Sequence, residues 1–367
     1  MFKKKMLSAV FGAVCASMSV SAFAQVPAGY SAGYAKIIEG AKKEGKLIVY
    51  AATDSKAAEP LIKDFSAMYP GVTVEYNDMN STEIYNRFIS EVAAGGTTGD
   101  VLWSSAMDLQ IKLVNDGYGL TYKSEEAAAI PSWTNMNNTA YGTTFEPAVI
   151  VYNKRLVPAE DVPTTHAEFT KLITTKVDRY KDKVTTYDIE KAGIGFMFIT
   201  QDLTNHADGF WDMAKALGTI GVRVQSSTGT MLERISSGEN IIGYNVLGSY
   251  ALARAKKDPN IGIQFLKDYT LVMSRVVFIN KTAKNANAAK LWIDYLLSKR
   301  GQTIIANDSK LYAMRADVTG ETTSVDLIKQ IGKGVTPIPV SAGLLGYLDQ
   351  SKRLAFLKQW KETAGKK

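Results

Sequence analysis

One cysteine, two histidines and ten prolines are all that this chain of 367 residues holds of those three types. A single thiol, Cys15, excludes an internal disulfide framework and a cysteine-built metal site. His166 and His206 have no carboxylate or second histidine at metal-ligand spacing on a helix, so a histidine-built centre has little to stand on. No stretch reaches the 18 or so uninterrupted apolar residues that a membrane-spanning helix needs. Scarce proline, with 46% hydrophobic and 22% charged residues, excludes collagen-like, disordered and all-charged coiled-coil classes. What is left is a globular protein whose length predicts roughly two domains.

The formal charge of +7 is partly an N-terminal matter. Lys3, Lys4 and Lys5 precede an apolar run from Met6 to Val20 and the small-residue exit Ala22-Phe23-Ala24, the pattern of a signal peptide over residues 1–24. Gly12-Ala13-Val14 ahead of Cys15 lacks the residues of a lipoprotein box, which favours cleavage after Ala24 over lipid anchoring. The mature chain would then be an exported, periplasmic protein of net charge +4, too mild an excess for a nucleic-acid footprint.

From Lys46 onward the chain alternates strand and helix patterns, which predicts a layered α/β protein with parallel or mixed sheets. Leu47–Tyr50, Val72–Tyr76 and Asp100–Trp103 read as strands. Leu61, Ile62, Phe65 and Met68 recur at helical spacing between the first two. Asn80 with Glu83 three residues on predicts a capped helix start. A second set of strands is expected at Ala148–Tyr152, Val184–Tyr187, Val222–Val224 and Ile241–Tyr244, with Val276–Ile279 following. No repeat or low-complexity linker appears, so two domains must be joined through ordered segments near Phe145-Glu146-Pro147 and Met273-Ser274-Arg275.

Gly29-Tyr30-Ser31-Ala32-Gly33 satisfies the spacing of a nucleophile elbow, but no strand pattern precedes it, as the strained strand-to-helix turn requires. More telling are the small polar residues that recur where strands give way to helices: Thr53-Asp54-Ser55, Asn80-Ser81-Thr82, Ser104-Ser105 and Ser226-Ser227-Thr228-Gly229. Such positions gather free backbone N–H groups and the positive end of a helix dipole, and they face the crevice at the carboxyl ends of strands. Plain N-capping asks for the same residue types.

Leu47–Tyr50, Pro60-Leu61-Ile62 to Phe65, Tyr69-Pro70-Gly71-Val72, Gly99–Leu102, Ile150–Asn153, Ser237-Gly238-Glu239 and Asn287–Trp292 to Gly301-Gln302 resemble, in order and spacing, the periplasmic solute-binding proteins of extracellular family 1, which include the ferric-iron binders. The resemblance implies a type II periplasmic binding fold: two α/β lobes, a hinge, and a solute trapped between them for an ABC importer. It implies lobes of residues 25–144 plus 275–325 and of 145–274 plus 326–367. The iron pattern itself is broken. Aligned on Ala251-Leu252-Ala253-Arg254, its adjacent tyrosines fall on Leu247-Gly248, its histidine on Asp54 and its glutamate on Ser105. Tyr244 and Tyr250, six residues apart, do not replace the pair.

The part that holds the accompanying anion is better kept. Thr228 falls where relatives carry an amide, Asn245 matches an asparagine, and Ala192-Gly193 falls at a helix start. Arg275 replaces a small residue at the interlobe strand, where a guanidinium can grip a carboxylate or phosphonate through two parallel bonds. The expected ligand-binding set is therefore Thr53, Asp54, Ser104, Ser105, Phe145, Glu146, Tyr187, Gly193, Thr228, Tyr244, Asn245 and Arg275, with Trp103 among the aromatics packing an organic body. No catalytic residue, metal or cofactor is expected. The expected partners are a small organic anion (carboxylate, phosphonate or phosphate ester) and the importer's membrane permease, for a monomer that binds no nucleic acid. A ferric-binding protein and an exported hydrolase using Ser31 or a strand-end serine are the alternatives.

Overall fold

The computed structural model describes residues 26–365. The signal peptide, its cleavage after Ala24 and Cys15 lie outside the described residues. In chain order, β1 (Lys46–Ala51), β2 (Thr73–Asp78), β3 (Val101–Ser104), β4 (Asn135–Met136) and β5 (Ala140–Gly142) belong to one sheet. Then β6 (Glu146–Asn153), β7 (Val184–Tyr187), β8 (Arg223–Gln225), β9 (Ile242–Leu247), β10 (Ile261–Gln264) and β11 (Thr270–Met273) build a second. The chain returns to the first sheet as β12 (Val276–Ile279) and to the second as β13 (Val335–Pro337).

The first sheet runs β2-β1-β3-β12-β5-β4, parallel across β2, β1 and β3 and antiparallel beyond. The second runs β13-β11-β6-β9-β7-β8, with β10 also paired to β6. Central strands β3 and β12 are buried along their whole length, which is why they read as continuous apolar runs rather than as alternation. Helices Ser55–Met68 and Ala286–Leu297 pack over the first sheet, where the Phe65 ring meets Trp292 edge-on at 5.0 Å. In the second lobe, Phe210, Phe356 and Trp360 close the core over Ile150 and Tyr244. A third cluster draws on both sheets, joining Leu102, Met107 and Ile111 to Ala192, Ile194 and Met197.

The sheets are joined where expected: β5 passes to β6 through Thr143–Phe145, and β11 passes to β12 through Ser274 and Arg275. These crossings bond to each other. Thr143 donates its N–H and its Oγ1 hydroxyl to Arg275 O, both at 2.9 Å. Thr144 N–H donates to Ser274 Oγ at 3.1 Å, and Arg275 N–H to Thr144 Oγ1 at 2.9 Å. Gly142 is fixed by this closeness, since a Cβ there would lie 2.4 Å from Ser274 Oγ.

Candidate functional site

The parallel registers decide what reaches the cleft. Ala51 pairs with Asp78, so the turn after β1 and the end of β2 lie side by side and bring Asp54 near Asp78. Ser104 pairs with Val276, which sets Ser105 next to Arg275 at the same edge. Across the cleft, Tyr187 pairs with Gln225, so the β7 end adjoins the Ser226–Gly229 turn. A cavity of about 280 Å³ lies between these edges, lined from the first lobe by Asp54, Asp78, Ser81 and Ser105 among others. Tyr187, Ile194, Thr228 and Tyr250 line it from the second. Two larger depressions, about 590 and 540 Å³, are lined wholly by second-lobe residues and receive no strand ends from the first.

Helices Ser81–Ala93, Met107–Asn115, Gly193–Asn205 and Thr228–Ser237 begin at this cavity, as do Ser55–Met68, N-capped by Asp54, and Gly248–Ala255, N-capped by Leu247. Their mutual approach is close. A Cβ on Gly193 would lie 3.1 Å from Ala106 Cβ and 3.2 Å from Ser81 Oγ, and Gly193 N–H donates to Thr82 Oγ1 across the cleft at 3.1 Å. Ser105 is 5% exposed and Ser81 6%, and neither hydroxyl has a hydrogen-bond partner among the described residues. Thr228 Oγ1 shares a 2.5 Å hydrogen bond with the Tyr187 hydroxyl, whose pKa burial holds above the usual phenol value. Burial likewise pushes Tyr250 up to about 12, and its hydroxyl accepts from Asp54 N–H at 3.3 Å. Burial raises the Asp54 carboxyl above its usual range, Arg275 pulls it back and Asp78 adds to the rise.

Of the residues chosen from sequence, Asp54, Ser105, Tyr187 and Thr228 line the cavity and Gly193 stands at its closing edge. The others do not line it, each for a visible reason. Arg275 and Glu146, both 0% exposed, are each other's partners: Nε donates to Oε1 at 2.7 Å and Nη2 to Oε2 at 3.4 Å. Nη1 is spent on Thr53 Oγ1 at 3.0 Å and Ala52 O at 3.1 Å, which also occupies Thr53. Ser249 and Thr144 complete the shell around Glu146. Burial is the largest single influence and works against the charge on Arg275, yet Glu146, Tyr250 and Asp54 together hold the guanidinium pKa above its ordinary value. Ser104 accepts from Ala106 N–H at 3.2 Å, which is capping, and Phe145 packs on Trp133.

Tyr244 and Asn245 belong to a buried network in the second lobe. Both donate to Asp202 Oδ2, at 2.8 and 2.6 Å, and Tyr269 donates to Oδ1 at 3.0 Å. Asn245 adopts φ 57°, a left-handed conformation that asparagine tolerates better than most side chains, and this bend carries its amide to Asp202. Tyr244 and Tyr250 therefore face different surroundings. The Ser31 hydroxyl donates to Glu125 at 2.6 Å in an exposed turn ahead of the helix Tyr34–Glu44, with none of the geometry of a nucleophile elbow. Sequence reasoning missed Asp78 and Ile194 as lining residues. Asp78 had only its place at a strand end to signal it, and its proximity to Asp54 comes from strand pairing.

Two edges fed by helix starts thus face each other across a cleft between the lobes. The family profile of bacterial extracellular solute-binding proteins matches residues 60–327. The chain belongs to that family. The substrate-binding protein of an ABC transporter from Agrobacterium tumefaciens is 41% identical, with 87% of this chain and 94% of that one covered and a TM-score of 0.82. AfuA from Actinobacillus pleuropneumoniae, a periplasmic binding protein with fructose 6-phosphate bound, is similar at 19% identity (87% and 98% covered, TM-score 0.72). Iron-bound HitA from Pseudomonas aeruginosa is similar at 15% (87% and 99%, TM-score 0.68). At those two identities the likeness is one of fold, and it is the type II periplasmic binding fold. No curated protein matches the chain in sequence. Family members and neighbours are binding proteins, and solute-binding proteins of ABC transporters work with membrane permeases. Among the described residues no helix is long and apolar enough to cross a membrane.

Proposed function

We propose that this protein captures a small organic anion (a carboxylate, phosphonate or phosphate ester) between its lobes and delivers it, as a periplasmic monomer, to the permease of an ABC importer. The observation that carries this reading is the convergence of helix starts from both lobes on one cavity that also presents the hydroxyls of Ser81 and Ser105, which have no hydrogen-bond partner among the described residues. Unpaired N–H groups and the positive dipole ends favour an anionic group there, and Ser81 and Ser105 have donors to give it. AfuA, with fructose 6-phosphate bound, supports an organic anion as a cargo this fold can accommodate. Catalysis forms no part of this reading: the cavity-lining serines have no hydrogen-bonded base beside them.

Native mass spectrometry of freshly purified protein should reveal a retained solute, and calorimetry with that solute gives its affinity. A hydrogen bond to a charged oxygen is worth about 1.5–3 kcal/mol, so Ser105→Ala should weaken binding on the order of ten- to a hundredfold. Unchanged affinity in both Ser105→Ala and Ser81→Ala would place the solute elsewhere.

A further inference from the structure

The cavity's lining residues include two carboxylates, Asp54 and Asp78, and no lysine, arginine or histidine. The one guanidinium close by, Arg275, is committed to Glu146, Thr53 and Ala52. A solute that brought only negative charge would enter a site already carrying two acids. Nothing in the lining balances them.

Ser81 stands three residues after Asp78 and reaches Gly193 beside Ala106, next to Ser105. Along the sheet order β2-β1-β3, Asp78 ends β2, Asp54 follows β1 and Ser105 follows β3. At the β2–β1 side, the start of the helix Ser55–Met68 is already neutralised. Asp78 Oδ2 accepts from Ser55 N–H at 2.7 Å and from its hydroxyl at 3.1 Å. Asp54 and Asp78 are both exposed at this end, Asp54 within the field of the Arg275 charge, and no cationic side chain lines the cavity beside them. The helices at Met107 and Gly193, by contrast, have no side-chain cap from their own N-cap residue, and they begin beside the unpartnered hydroxyls of Ser81 and Ser105. This end suits an anion. Asp54 makes no side-chain cap bond to its own helix, and Tyr250, whose hydroxyl accepts from Asp54 N–H, sets an aromatic wall beside it.

We infer that the solute is a small zwitterion, its ammonium seated at Asp54 and Asp78 and its carboxylate or phosphonate at the helix starts beside Ser81, Ser105 and Thr228. This rests on the reading of the cavity as the solute site. An ammonium relieves the mutual repulsion of the two acids and supplies the cation that the lining lacks. The distance between its charges selects chain length.

The test uses matched pairs: 3-aminopropanoate against propanoate, and 2-aminoethylphosphonate against ethylphosphonate, titrated calorimetrically into the mature protein. In at least one series the amino compound should bind tighter by about tenfold or more. Asp54→Asn keeps a good helix N-cap and should erase that preference. Equal affinity within both pairs, or no binding of either amino compound, overturns the inference. Ser105→Ala separates the two levels. If it weakens every ligand that binds while amine and amine-free members bind alike, the site stands and the zwitterion falls. If neither Ser105→Ala nor Asp54→Asn changes binding that does occur, both fall.

Discussion

Arg275 shows how much the meaning of a residue depends on what folding sets beside it. In sequence it is an isolated cation at an interlobe strand, available to a ligand. In the folded chain Glu146, 129 positions earlier, takes two of its nitrogens, and neither residue is exposed. Breaking such a buried pair from one side leaves an uncompensated charge, which costs about 3–5 kcal/mol. Arg275→Ala should therefore lower the unfolding free energy of the unliganded protein by an amount of that size, with a corresponding fall in the denaturation midpoint, and Glu146→Ala should do likewise. A melting curve unchanged in Arg275→Ala, together with a large loss of solute affinity, would restore the guanidinium to the solute. No local pattern could have announced the pairing, because it is made by two chain crossings that meet only after both sheets form.

At the scale of elements, the patterns that reach the cleft were legible where an element buries a whole face or run. β7 and β12 have the bounds that their apolar residues predicted, and Asn80 accepts from Glu83 N–H at 2.9 Å as the capping spacing required. Strands β4, β5, β10, β11 and β13 were not legible: length does not separate them from β7 and β12, but all except β4 owe their pairing to neighbours distant in sequence. Nor was the fate of Asp108, in the first turn of the helix Met107–Asn115. This helix packs on the turn Ala342–Tyr347 of the other lobe, and Asp108 is nearly fully buried there. Its Oδ1 accepts from Leu109 N–H at 2.9 Å, and Arg353 attracts it without forming an ion pair. Burial pushes its pKa from 3.8 to about 7. The folded state thus holds a proton that the unfolded chain has released, so stability from this group is fully present below about pH 4 and is lost as pH rises through about 7. A shift of about three units corresponds to on the order of 4 kcal/mol. The gap in unfolding free energy between Asp108→Asn and wild type should grow by that order from pH 4 to pH 8 in the variant's favour. A gap independent of pH would show that Asp108 ionises in the fold as it does in water.

For the molecule as a whole, the two-lobed plan was legible through the resemblance to periplasmic solute-binding proteins, while the alternation of strand and helix patterns by itself indicates only an α/β class and a length of roughly two domains. The dimension of the cleft does not follow, since it is set by how closely the lobes approach. Gly193 marks that approach. Its N–H bonds to Thr82 Oγ1 of the opposite lobe, and a Cβ there would sit 2.8 Å from Leu109 Cδ1 as well as close to Ala106 and Ser81. Closure therefore needs a residue without a side chain at this point, although the backbone φ/ψ there is helical and alanine or valine could adopt it. Leu109 can turn aside for a methyl group, whereas valine's two branches also meet the Ala106 Cβ, which cannot move without its helix. Gly193→Val should prop the lobes apart and expose bound solute to water, weakening binding by about tenfold or more through a faster off-rate. The clusters around Trp292 and around Trp360 lie elsewhere and only the cluster shared by the two sheets flanks Gly193, so the unliganded variant should keep the fold's circular dichroism. Small-angle scattering should then show wild type contracting when solute is added and the variant not contracting. If Gly193→Val contracts and binds like wild type, the approach of the lobes at this contact is not what holds the cleft closed.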